Sequence, residues 1–195
     1  AMEGSIFIAG AGVQWLRDRM KFFKKAPETE RIVKSLNTNN DIYLVPAFTG
    51  LGAPYWNANA RGVLSGITRD TSPKEIIRAT IEAVAYQTYD LFEAMKHDGL
   101  RPKLVKVDGG MVMNNWFSQF LSDVVNVNVL RPKVQETTAL GAAFMAGLHI
   151  GVYKSLKDIS KKWSLDRKFK PKMGNQLRNA LVKGWSTAIK RALIL

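Results

Sequence analysis

Residues 104–115 read LVKVDGGMVMNN. Leu104, Val105 and Val107 alternate in the manner of a short buried strand, Asp108 ends it, and Gly109-Gly110 lead to a helix-like run over residues 114–125. Glycine accepts positive φ, so the chain can turn sharply, and without a Cβ a flat ligand can lie against the backbone. The free N–H groups and positive dipole end of the following helix suit a phosphate in that turn. Glycine pairs also end ordinary strands, so the stretch needs support from the rest of the chain.

At 195 residues the chain can bury a full core, and one domain is the default. A hydrophobic fraction of 46% and five Trp exclude general disorder. The absence of Cys excludes disulfides, thiolate metal sites and a thiol nucleophile. His97 and His149 lie far apart with no carboxylate cluster beside either, so no metal ligands are expected. No apolar run approaches the roughly 20 residues that span a bilayer, so a cytoplasmic protein without a membrane partner is expected. The formal charge of +13 is concentrated: residues 153–195 hold 12 Lys/Arg against Asp158 and Asp166. Lys161-Lys162 and Arg167-Lys168 lack interleaved aromatics, which favours a solvated face over a nucleic-acid surface. A docking surface for an acidic partner stays open.

In chain order, residues 5–8 read as a strand with no polar lead-in, as if the chain began inside a larger protein. Gly10-Ala11-Gly12 reads as a turn into a helix over 13–23, with Gln14 in the first helical turn, able to reach a ligand resting there. A plain strand–helix connection with Gln14 in solvent fits the same residues. Trp15, Leu16 and Phe22 are expected in the core. Residues 28–36 read as a helix, 41–45 and 62–66 as strands, and 46–61 as a long Gly/Pro/aromatic loop packed on its own domain by Tyr55 and Trp56. Ser72, Pro73 and Glu75 form a capping-box signature for a helix reaching about residue 96, with Glu82 as a surface carboxylate. A strand over 126–130 precedes a small-residue helix from Thr137 to about Leu148, capped by Glu136. Helices over 155–162 and 175–193 close the chain, the second burying Leu177, Leu181, Trp185 and Ile189. This is an α/β order with a mixed sheet flanked by helices. Residues 10–14 and 109–114 both follow strands, where ligands of such sheets collect, so one ligand can touch both.

These segments resemble the C-terminal domain of the FGGY carbohydrate kinases. The resemblance is carried by GVLSGITRDTSPKEIIRATIE (62–82), VPAFTGLGAPYW (45–56), AGAGVQWLRD (9–18), VDGGMVMNN (107–115) and ETTALGAAFMAG (136–147), in order and spacing. The 45–56 loop resembles glycerol-phosphorylating members more than pentulose-phosphorylating ones.

The resemblance implies an actin/hexokinase-like (ribonuclease H-like) ATPase of two domains with ATP between them. Residues 1–195 would be the second domain, with 153–195 its basic helical end, and the N-terminal domain would be absent. It implies ATP/ADP and Mg²⁺ as cofactors, glycerol as substrate, sn-glycerol 3-phosphate as product, and a homo-oligomeric intact enzyme. Gly10 and Gln14 match residues near the phosphates and ribose; Gly110 and Asn114 match residues at the adenosine. Gly12 stands where many members carry a small hydroxyl residue, and Met111 and Met113 replace smaller residues at the adenine wall. The catalytic aspartate, glycerol contacts and phosphate loop are expected upstream of Ala1, leaving no catalytic residue here and no turnover by the chain alone. The rival readings are another FGGY sugar kinase, such as a xylulokinase-like enzyme, and a non-enzymatic basic binding module resting on the tail.

Overall fold

The computed structural model describes residues 3–194. Its longest element, α3 (Pro73–His97), starts as its sequence dictates: the Ser72 N–H donates to the Glu75 carboxylate at 2.9 Å, and the Lys74 N–H donates to the Ser72 hydroxyl at 3.3 Å. From Ile77 to Gln87 every residue of α3 is buried. A helix buried on all sides must be surrounded. α1 (Gly10–Asp18), α2 (Glu28–Lys34), α4 (Asn115–Val125) and the strand β1 (Tyr43–Val45) all pack on it.

Glu82 is therefore not a surface carboxylate. It is fully buried, 2.7 Å from Arg78 Nε, and accepts the Tyr86 hydroxyl at 3.0 Å. Burial pushes the Glu82 carboxyl above its ordinary range, against the pull of the Arg78 guanidinium. Arg78 also donates to the Leu36 carbonyl at 2.7 Å and lies 5.1 Å from the centre of the Trp116 ring.

The strands form two sheets. β1 pairs antiparallel with β2 (Val63–Ser65), while β3 (Leu104–Lys106), β4 (Asn128–Pro132) and β5 (Leu165–Phe169) form a mixed sheet in that order. β3 and β4 are parallel and joined through α4, the crossover that parallel pairing requires. β3 lies at the sheet edge with Leu104 44% exposed, so its alternation marks an edge strand, not a buried one. α5 (Thr137–His149), α6 (Leu156–Ser160) and α7 (Asn175–Leu193) complete the order.

Other differences from the sequence reading have local causes. Residues 5–8 form no strand, because among the described residues Ser5 O accepts only from the Ala53 N–H and Ile8 O only from the Gln87 side chain. Gly10-Ala11-Gly12 is the first turn of α1 rather than a loop before it, and α1 stops at Asp18, with Lys21 at φ 59° beyond it. The consecutive charges Asp166, Arg167 and Lys168 concealed β5, whose first four residues are exposed. It makes residues 153–195 more than helical. In α7, Leu177 is exposed while Arg178 turns inward to the carbonyls of Asp123 and Met173. Gly184 lets α7 lie on β1, since a Cβ there would overlap the Tyr43 ring.

The long loop is held as expected at Tyr55, but Trp56 is 67% exposed, its ring meeting Phe7 edge-on. Asp90 of α3 accepts from Tyr55 Oη at 2.9 Å and from Trp185 Nε1 at 2.6 Å, joining loop, α3 and α7. Burial pushes its carboxyl up to about 6 despite both bonds.

Removing the guanidinium of Arg78 strands a buried carboxylate. Arg78→Met is expected to cost about 3 kcal/mol in urea unfolding, with a larger loss at alkaline than at acidic pH, where Glu82 takes up a proton. Asp90 acts in the opposite sense to an ion-paired carboxylate. The folded chain holds its proton more tightly than the unfolded chain, so this group adds stability as pH falls through 6 and withdraws it as pH rises. Asp90→Asn is expected to flatten that dependence, by at most about 2 kcal/mol between roughly pH 8 and 4, seen by comparing unfolding free energies of the two proteins across the range.

Candidate ligand site at the Gly109-Gly110 turn

After β3 the chain does not enter α4 directly. Gly109 takes φ 82° and donates its N–H to Gln135 O at 3.1 Å, and a single 3₁₀ turn, Gly110–Met113, follows. The Thr137 hydroxyl donates to the Asp108 carboxylate, fastening the end of β3 to the start of α5. Glu136 provides no side-chain cap there. The 3₁₀ turn is clamped from beneath: Val112 O accepts from Arg131 Nη1 at 2.8 Å and from the Ser118 hydroxyl at 2.9 Å. Arg131 is in turn held by Asp166 of β5 at 2.7 Å. Asn114 caps α4, its side-chain oxygen accepting the Phe117 N–H at 3.0 Å.

Beside this turn lies a cavity of about 360 Å³, within the range of small-molecule sites. Gly10, Gln14, Gly110 and Asn114, the four residues singled out in the sequence, all line it. From α1 come Gly10, Val13, Gln14 and Arg17, the i, i+3, i+4, i+7 positions of one helical face. Opposite stand Gly110, Met111, Met113 and Asn114, with Ile81 of α3 between the walls. A Cβ at Gly10 or Gly110 would meet nothing within 4 Å, so both glycines face open space. Gly12 does not line the cavity; it packs against α3, where a Cβ would stand 3.0 Å from the Thr80 methyl.

Thr29 and Glu30 of α2 close the third side, and neither carries a sequence motif. Glu30 alters the electrostatics. Its carboxylate accepts from the Asn115 backbone at 3.2 Å and from Lys34 Nζ at 2.5 Å. Burial pushes its carboxyl up, and the bonds from Lys34 and Asn115 outweigh that and hold it below the usual range. The N-terminus of α4 is thus already met by an acid and is not the free anion site expected at the Gly-Gly turn. The first turn of α1 differs: it has no side-chain cap, and the Gly10 and Ala11 N–H groups meet no backbone acceptor among the described residues. Gln14 has no side-chain hydrogen bond among those residues either, which leaves its amide available. Among the described residues no group of three or more His, Asp or Glu could hold a metal ion, and no helix is long and apolar enough to cross a membrane.

Helices around a mixed sheet, with a cavity beyond the carboxyl end of β3, define an actin-like ATPase domain. Residues 1–150 match the FGGY family of carbohydrate kinases, C-terminal domain, and the chain belongs to that family. It is 54% identical over 191 residues to glycerol kinase 1 of Pseudomonas aeruginosa, covering 98% of this chain and 39% of that protein. The crystal structure of Plasmodium falciparum glycerol kinase with ADP superposes with a TM-score of 0.86 at 34% identity, over 98% of this chain and 38% of that one. A ligand-bound xylulose kinase from Lactobacillus acidophilus shares the fold, with a TM-score of 0.78 at 23% identity over 96% of this chain and 38% of that one. The chain spans about two-fifths of the length of these relatives.

Asn114 serves the fold as well as the cavity. Asn114→Ala is expected to cost about 1 kcal/mol through the lost cap of α4, measurable by denaturant unfolding, with helical circular dichroism otherwise retained.

Proposed function

We propose that this chain is the nucleotide-binding half of a glycerol kinase, an enzyme that transfers the γ-phosphoryl group of ATP to glycerol and yields ADP and sn-glycerol 3-phosphate. The observation that carries the reading is the meeting of Gly10 and Gln14 with Gly110 and Asn114, about a hundred residues later, in one cavity. The 54% identity to a bacterial glycerol kinase supports the substrate, and the Plasmodium falciparum glycerol kinase crystallised with ADP supports the nucleotide.

In this reading the uncapped first turn of α1 faces the phosphates, where the bare backbone at Gly10 allows close approach. Gln14, one turn on, reaches the ribose. Ile81, Met111 and Met113 form the apolar slot for adenine, and Gly110 lets the adenosine lie on the backbone. The Asn114 side chain keeps one amide hydrogen for the nucleoside, since its oxygen caps α4 and Nδ2 donates once, to Thr29 at 3.4 Å.

Mg²⁺ supplies charge neutralisation at the γ-phosphoryl group. This chain's cavity lacks a ligand set for it, because its one carboxylate, Glu30, is engaged by Lys34 and Asn115. The metal therefore arrives with the nucleotide or is held by the other part of the enzyme. The aspartate base that takes the glycerol proton and the residues that hold glycerol belong to the part of the relatives this chain does not span. A cytoplasmic, homo-oligomeric enzyme completes the proposal.

The test follows ADP formation by the full-length kinase carrying this domain, offered glycerol, dihydroxyacetone, xylulose and ribulose. Glycerol is expected to be the preferred acceptor. Gly10→Val and Gly110→Val are expected to weaken ADP binding at least tenfold, about 1.4 kcal/mol, while shifting the melting temperature by no more than about 4 °C. Preference for a pentulose would transfer the substrate to the xylulokinase-like reading, and glycerol-dependent turnover by residues 1–195 alone would overturn the division of labour.

A further inference from the structure

The 3₁₀ turn Gly110–Met113 gives Gly110, Met111 and Met113 to the cavity and buries Val112 behind them. A turn this short has no donors of its own for its last carbonyls. Arg131 supplies one from behind the wall: its Nη1 lies 2.8 Å from Val112 O and 3.4 Å from Met113 O. Neither Arg131 nor Asp166 lines the cavity. We propose that Arg131 is a positioning residue for the adenosine end of the nucleotide, and that β5 sets nucleotide affinity through it, an inference that rests on the nucleotide reading above.

The backbone puts Arg131 where it can act. β3 and β4 are parallel and pair as far as Lys106 and Leu130, so Arg131 stands at the carboxyl end that both strands share. Its guanidinium is then fixed from β5. Arg131 pairs with Arg167 and Pro132 with Leu165, which leaves Asp166 as the extra residue of a β-bulge. Such bulges re-aim a side chain, and here the Asp166 carboxylate accepts Arg131 Nε at 2.7 Å. The Phe169 ring centre lies 5.5 Å from the same guanidinium, and Arg167 donates to Asn115 Oδ1 at 3.0 Å. β5 lies beyond residues 1–150, the part that matches the family's domain.

Only a planar fork can meet a carboxylate through Nε and two successive carbonyls through Nη1. The turn needs this hold because Gly109-Gly110, just before it, leave the backbone free to shift. Released from Arg131, Met111 and Met113 lose their fixed place along the adenine slot. The phosphates rest on α1, which Arg131 does not touch, so the loss falls on binding and spares transfer.

The test uses the full-length kinase and measures kcat, KM for ATP and for glycerol, and ADP affinity. Arg131→Met is expected to raise KM for ATP and to weaken ADP roughly tenfold, with kcat and KM for glycerol nearly unchanged, the pattern of lost uniform binding. Asp166→Asn changes a side chain that is 38% exposed and is expected to give the same pattern at about threefold, which keeps the test decisive if Arg131→Met fails to fold. Gly110→Val, on the cavity wall itself, is the control. ADP binding lost in Gly110→Val, with KM for ATP unchanged in the other two variants or with kcat falling alone, would overturn the proposal and leave the nucleotide reading standing. Unaltered ADP binding in Gly110→Val would overturn that reading and the proposal with it.

Discussion

The buried Arg78–Glu82 pair organises the domain. An ion pair in the middle of a packed helix is a poor source of net stability, but it imposes a strict constraint: every remaining polar atom around it needs a partner. Tyr86 answers Glu82, and the end of α2 answers Arg78 through Leu36 O. Tyr86 in turn stacks on Trp185 of α7 at 5.3 Å and meets Phe120 of α4 edge-on. One helix-internal pair thereby fixes where α2, α4 and α7 sit about α3. The small residues Ala79, Ala83 and Ala85 let the neighbouring elements come that close.

The cavity at the Gly-Gly turn inherits its walls from this arrangement. Arg78 lies against Trp116, and the next residue back, Asn115, is held by Glu30 of α2. The turn itself is anchored from the sheet, through Arg131 and Asp166. Arg131 and Asp166 do not line the cavity and Glu30 does, yet both anchors determine the position of the backbone that lines it. A site whose contacts are mostly backbone and glycine depends on such supports more than one made of long side chains, because it has no rotamers with which to adjust.

Sequence alone revealed the parts whose causes are local. Ser72, Pro73 and Glu75 specify a helix start within four residues, and the glycines at 10 and 110 advertise bare backbone without any knowledge of the fold. What remained hidden depends on partners distant in the chain. Glu82 keeps the period of an exposed helical position and is buried only because four elements converge on α3. Leu165–Phe169 carries three consecutive charged residues like a surface loop and becomes a strand only by pairing with β4. Glu30 reads as an ordinary i,i+4 partner of Lys34, whereas its more consequential bond reaches 85 positions along the chain, to Asn115. The exposed backbone of the Gly-Gly turn was legible, and Gly110 does line a cavity, but the acid that already occupies the adjoining helix terminus was not legible.

That acid bears on how the proposed kinase would divide its labour. A nucleotide phosphate chain is a strong polyanion, and this cavity offers little cationic charge to meet it. Arg17 is bound side-on by Asp18 at 2.6 and 2.9 Å, and Glu30 contributes the opposite sign. No basic residue of the C-terminal stretch lines the cavity; Arg178 turns to the end of α4 and Arg167 to Asn115. The half-site is therefore suited to holding the nucleoside by shape and backbone, with the α1 dipole as its main attraction for phosphate. Charge compensation at the γ-phosphoryl group then falls to the metal and to the rest of the enzyme. In the proposed kinase such a split would make chemistry conditional on closure: one half would position the nucleotide, and its terminal phosphoryl group would become reactive only when the other half arrived with acceptor and base.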